Sequence, residues 1–113
     1  MEFNSQKIIY STKANWDEIV NITFVSHENY LSFNTLAYED EIEIEWNDQV
    51  NYVSVLKSDF KFEIVDKQLH LKLTDIINQN NFPDLSLCIH FRNGEENELK
   101  IALAALTGRL KEG

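Results

Sequence analysis

The sequence predicts an α+β fold: an antiparallel β-sheet of five to seven strands with a C-terminal amphipathic helix packed on one face. Three stretches carry this. Glu41-Ile42-Glu43-Ile44-Glu45-Trp46 alternates with period two, the mark of a half-buried strand. Phe60, Phe62 and Ile64 alternate before Asp66-Lys67, and Leu69, Leu71 and Leu73 alternate after it. Leu99, Ala102, Leu103 and Leu106 recur at helical spacing near the end of the chain. At 113 residues the chain is read as one globular domain, 1–113, able to bury about two-thirds of its unfolded surface.

In chain order, Lys7-Ile8-Ile9-Tyr10-Ser11 predicts a short strand. Asn15 with Glu18 resembles a capping box, and a helix from there would put Trp16, Ile19, Val20, Thr23 and Phe24 on one face. Against it, Ile19, Val20, Ile22, Thr23 and Val25 are β-branched, and Val20, Ile22 and Phe24 alternate with Asn21 and Thr23. Strand is the expectation here, with helix as the alternative for residues 16–27. Ser26-His27-Glu28-Asn29 predicts a turn, and Tyr30 to Phe33 a strand broken around Asn34-Thr35.

The acidic strand follows. A three-residue loop at Asn47-Asp48-Gln49 would set Tyr52 opposite Ile44 and Val50 opposite Trp46. Lys57-Ser58-Asp59 interrupts the pattern. A two-residue turn at Asp66-Lys67 pairs Ile64 with Leu69, Phe62 with Leu71 and Phe60 with Leu73, so all six share one face. On the other face Glu63 falls opposite His70. Thr74 to Asn81 is read as a loop or a short helical turn. Pro83-Asp84 leads into a strand with Leu85, Leu87, Ile89 and Phe91 facing in and Ser86, Cys88 and His90 facing out. Asn93-Gly94 looks like a hairpin turn, but that register would set Phe91 opposite Glu96 and Ile89 opposite Glu98. A helix from Gly94 to Thr107 fits better, with Asn93 as N-cap, Glu96 as its capping-box partner and Thr107-Gly108 as the stop.

Charge is distributed unevenly. The chain has 19 acidic and 10 basic residues, a formal charge of −9. Between Ala14 and Leu56 there are nine acids (Asp17, Glu18, Glu28, Glu39, Asp40, Glu41, Glu43, Glu45, Asp48) and no Lys or Arg. The remaining ten acids and ten bases cancel, so the whole net charge sits in that block. The block also holds Trp16, Trp46, Tyr30, Tyr38 and Tyr52. An acidic, aromatic surface suits a basic protein partner. Against this stands an ordinary solvated strand face: carboxylates about 7 Å apart repel by only about 0.3 kcal/mol per neighbouring pair in screened water.

Other classes fit less well. One cysteine, Cys88, allows no internal disulfide and suits a reducing compartment. Met1 to Gln6 holds no basic region followed by an apolar run, and no apolar stretch approaches a membrane span. A cytoplasmic protein is expected, with neither nucleic acid nor membrane as partner, given its acidity. Cys88 and His90 lie two apart on one strand, which by backbone spacing leaves the thiol out of hydrogen-bond reach of a base, and no metal-ligand spacing is present. The three glycines form no phosphate loop. No catalytic residue, metal or cofactor is expected.

The reading that follows is a non-enzymatic acidic binding module, in its most economical form an immunity protein or antitoxin covering the phosphate-binding groove of a basic, nuclease-type toxin. Glu39, Asp40, Glu41, Glu43, Glu45 and Asp48 would supply charge, and Tyr38, Tyr30 and Trp16 aromatic anchors. Trp46 is assigned to the core. The alternatives are a secretion chaperone, which needs an exposed apolar patch and a dimer interface, and a small ligand-binding domain or enzyme, which needs polar groups facing the core.

Overall fold

The computed structural model describes residues 2–11, 19–27, 29–36, 40–46, 48–73, 76 and 85–107. Within them the chain forms nine strands, one turn of 3-10 helix (Lys57–Asp59) and one α-helix. The strands are β1 (Glu2–Asn4), β2 (Lys7–Ser11), β3 (Ile19–Val25), β4 (Tyr30–Leu36), β5 (Glu41–Trp46), β6 (Asp48–Leu56), β7 (Lys61–Val65), β8 (Gln68–Leu73) and β9 (Leu85–His90). The helix is α1 (Glu96–Leu106).

The strands do not make the single sheet that the alternation suggested. They divide into a five-stranded antiparallel meander, β2-β3-β4-β5-β6, and a four-stranded sheet, β1-β9-β8-β7. Each sheet has one apolar face, and each needs another layer to cover it. The two faces serve each other: Ile22, Phe24, Leu31, Phe33, Ile42, Ile44, Val53 and Val55 of the meander share one core with Leu69, Leu71, Leu73, Leu87 and Ile89. Phe33 of β4 joins the layers. Its ring meets Phe24 edge-on at 5.3 Å and Phe60, just before β7, at 5.5 Å.

Residues 19–25 are a strand, as their β-branched run requires. The turn after it closes with the Ser26 amide donating to the Asn29 carbonyl at 2.9 Å. β4 runs unbroken through Asn34 and Thr35, contrary to the expected break. Asn34 is hydrogen-bonded to Asn21 of β3 and to Ser32 of its own strand, and the Thr35 hydroxyl donates to the Glu41 carbonyl at 2.7 Å, so neither needs a turn to satisfy it. The β5–β6 register also differs from expectation. Ile44 pairs with Val53 and Glu45 with Tyr52, with a register shift between Glu45 and Trp46, and β6 already begins at Asp48. The irregularity absorbs residues assigned to a three-residue loop, which a count of turn residues cannot foresee.

The β7–β8 hairpin has the predicted register, including Glu63 opposite His70. Asp66 (φ 50°) and Lys67 (φ 61°) both adopt the left-handed conformation that a tight two-residue hairpin turn demands. β1 was not foreseen. Three residues are too few to show alternation, and it pairs in parallel with β9, Phe3 beside Ile89.

The helix begins two residues later than expected and is not capped by Asn93. Asn93 and Gly94 do form a tight turn, with Gly94 at φ +88° and the Glu95 amide donating to the Arg92 carbonyl at 3.3 Å. That left-handed step delays the first helical turn. Glu95 takes the N-cap position, and its carboxylate accepts a bond from the Arg92 amide at 2.9 Å. Rather than covering one sheet from outside, α1 sends Leu99, Ala102, Leu103 and Leu106 into the core shared by both sheets and lies against β3. Thr107 ends it, its hydroxyl donating to the Leu103 carbonyl at 2.9 Å. The possible helical turn at 74–81, apart from buried Ile76, and the capping-box segment 13–18 lie outside the described residues.

At the N-terminal end of α1 the hydroxyl of Tyr10 is buried, with no hydrogen-bond partner among the described residues. Burial, then the carboxylates of Glu95 and Glu98, push its pKa from 10 up to about 12. The folded chain therefore holds this proton more tightly than the unfolded one. Its contribution to stability is intact below pH 10 and is lost as pH rises towards 12. Tyr10→Phe is expected to remove that part of the alkaline loss. At neutral pH the melting temperature should stay equal or rise, because no bond is broken. A clear drop in Tm at pH 7, read by circular dichroism, would show that the hydroxyl has a partner.

Candidate functional site

Alternation in β5 sends Ile42 and Ile44 into the core and Glu41, Glu43 and Glu45 to the outer face of the meander. Glu41, Glu43 and the preceding Asp40 are exposed, and Glu45 is half-buried. Trp46 packs against the core, as the pattern required. β5 is an interior strand, between β4 and β6. Its glutamates therefore do not guard a sheet edge, which removes one ordinary use of strand charges. The backbone ahead of the row is tied on both sides: the Lys57 amide donates to the Asp40 carbonyl at 2.7 Å, and Thr35 binds the Glu41 carbonyl.

Beside the glutamates lies a plate of small polar side chains that sequence reasoning did not select. In register, Glu45 pairs with Ser32 and Glu43 with Asn34; Ser32 in turn pairs with Thr23, and Asn34 with Asn21. The Asn21 amide donates to Ser32 Oγ at 2.9 Å and to Asn34 Oδ1, while Thr23 donates to Asn21 Oδ1 at 2.9 Å. Asn34 also donates to Ser32 Oγ at 3.3 Å. Ser32 is only 5% exposed. These bonds hold the four side chains in one arrangement, so a partner that docks on them orders little that is not already ordered. Their signal in the sequence was the polar half of the alternation, Asn21/Thr23 and Ser32/Asn34, which read merely as the outside of a strand.

Of the proposed anchors, Tyr30 is half-buried at the start of β4, two residues before Ser32 and so on the same outer face. Trp16, Tyr38 and Glu39 lie outside the described residues, as does the side chain of Asp48, whose backbone pairs with Trp46. Register thus places Glu41, Glu43, Glu45 and Tyr30 on one face, with Tyr30 at the Glu45 end of the row and Asp40 ahead of its other end. The two sheets differ in charge. The five strands of the meander carry one basic residue, Lys7 in β2. The four-stranded sheet carries Lys61 and Lys72 opposite each other, with His70, His90, Glu2 and Glu63.

The outer face of the four-stranded sheet corrects one expectation. Cys88 and His90, two apart on β9, lean together until Cys88 Sγ lies 3.8 Å from His90 Nε2; a further 3.7 Å separates the thiol from Gln68 Oε1. Side-chain reach overcomes the backbone spacing. The same Nε2 also lies 3.2 Å from Glu2 Oε1. A base relay needs acid and thiol on opposite ring nitrogens, so this trio is not arranged as one. Among the described residues no group of three or more His, Cys, Asp and Glu is placed to hold a metal ion, and no helix is long and apolar enough to cross a membrane.

Comparison with protein-family models, with curated proteins and with solved structures finds no match. The functional reading therefore rests on the site.

Proposed function

We propose that this chain is an acidic protein-binding module of the cytoplasm that neutralises a basic partner, most economically an immunity protein or antitoxin acting on a nuclease-type toxin encoded beside it. The carrying observation is the placement of the charge. The excess acid read along residues 14–56 includes a row, Glu41, Glu43 and Glu45, on the outer face of an interior strand, next to a hydrogen-bonded polar plate.

Such a face offers carboxylates to lysine and arginine, and the half-buried Asn21, Thr23 and Asn34 offer fixed polar groups to a partner's backbone or side chains. A nuclease must present a positive groove to phosphate, and a negative face steers fast encounter with it. The sheet also lends shape: its side chains stand on paired strands rather than on loops, so charge spacing is kept on binding.

The test is to express the neighbouring open reading frame alone and together with this chain. Toxicity alone, rescue on co-expression and recovery of a tight complex are the expected results. A harmless neighbour that does not co-purify would overturn the antitoxin reading.

A further inference from the structure

The four-stranded sheet ends at β7, which pairs with β8 on one side and, among the described residues, with no strand on the other. An open edge is a template for another strand. Beside it runs a groove of about 340 Å³ lined by Phe62, Glu63, Ile64, Lys100 and Ala104. Phe62 and Ile64 are only half-buried there, and Val65, on the outer face of the same strand, is 45% exposed.

We infer that a second copy of this chain occupies that edge, β7 against β7 in antiparallel fashion, giving a two-fold dimer with a continuous eight-stranded sheet. The charges on the strand choose the occupant and the register. A two-fold axis normal to the sheet keeps outward residues outward, so only registers that pair residues of like parity are allowed. Through Glu63 the axis would set that carboxylate against its own copy. Through Ile64 it would set Glu63 against Val65 and leave Lys61 without an opposite charge. Through Phe62 it sets Lys61 of each copy opposite Glu63 of the other, twice.

That register also relieves a strain within the chain. Lys61 lies directly opposite Lys72, a like-charged cross-strand pair, and among the described residues neither Lys61 nor Glu63 has an ion-pair partner within 4.0 Å. In the dimer the outer row would run Cys88, His70, Glu63, then Lys61, Lys72 and Ser86 of the second copy, with each new neighbour of opposite sign. The acidic face of the meander lies on the other sheet and stays open in both copies.

Light scattering on size-exclusion fractions over a concentration series tests this. The wild-type chain is expected at twice 13.2 kDa. Lys61→Glu and Glu63→Lys, each alone and each with an unchanged far-ultraviolet spectrum, should run as monomers, because each brings two like-charged pairs together. An equimolar mixture of the two should recover the dimer, since every pair is then opposite in sign. A wild-type chain that stays monomeric throughout overturns the inference. So do single variants that remain dimers, which would place the contact on another surface.

Discussion

Replacing Glu41, Glu43 and Glu45 together by lysine is expected to leave the chain folded and to weaken the proposed complex with a basic partner at least about a hundredfold. The two halves of this result have separate causes. The three side chains point away from the core, Glu41 and Glu43 exposed and Glu45 half-buried, so their exchange removes no core packing. A row of lysines repels itself about as much as a row of glutamates, and the unfolding free energy should change by no more than about 1 kcal/mol. At the proposed interface the change is of sign: three attractions would become three repulsions facing the partner. Association of the unmodified chain should also slow steeply with added salt, because steering acts over a Debye length. Titration calorimetry and stopped-flow mixing measure both. An affinity that survives the triple reversal would reduce the row to a solvated strand face, and the polar plate would have to be tested by itself.

Phe33→Ala is expected to be among the most destabilising single changes in the chain, at about 3–5 kcal/mol. Phe33 is fully buried, and its ring makes edge contacts with Phe24 in its own sheet and with Phe60 leading into the other. Truncation opens a cavity where the layers meet and also discards two favourable aromatic arrangements. Against a typical domain stability of about 5–15 kcal/mol, that loss is a large share. Phe62→Ala, at a half-buried ring on the edge strand, should cost clearly less. Denaturant titration of the pair supplies the comparison, and equal costs would contradict a core centred on Phe33.

Much of the architecture was legible because alternation is a local signal. The inward sets of β3, β5, β7, β8 and β9 and the stripe of α1 follow directly from residues such as Val20, Ile42, Leu71 and Leu103. What was not legible is non-local. Nothing in the pattern of β6 and β7 says that the four residues between them, 57–60, carry the chain from one sheet to another, so the expected five to seven strands read as one layer. The Glu45/Trp46 irregularity shifts a register without any residue that announces it. Asn93-Gly94 gave two signals at once, and both were right in part: the turn forms, and the helix starts after it. At the candidate site the charge was visible as composition. The plate was not, because Asn21, Thr23, Ser32 and Asn34 gain meaning only when β3, β4 and β5 lie side by side.

The pairing of β1 with β9 has a bearing on the order in which the chain can fold during synthesis. The meander is built from neighbours along the chain and can assemble as soon as β6 has left the ribosome. β1 cannot: the contact of Glu2 with His90 spans 88 positions. β1 thus waits for β9, made about eighty residues later, and the four-stranded layer closes by a long-range step that loop entropy makes slow. Until then the apolar face of a completed meander has no sheet to cover it, and that interval is when a nascent chain of this design is most open to aggregation.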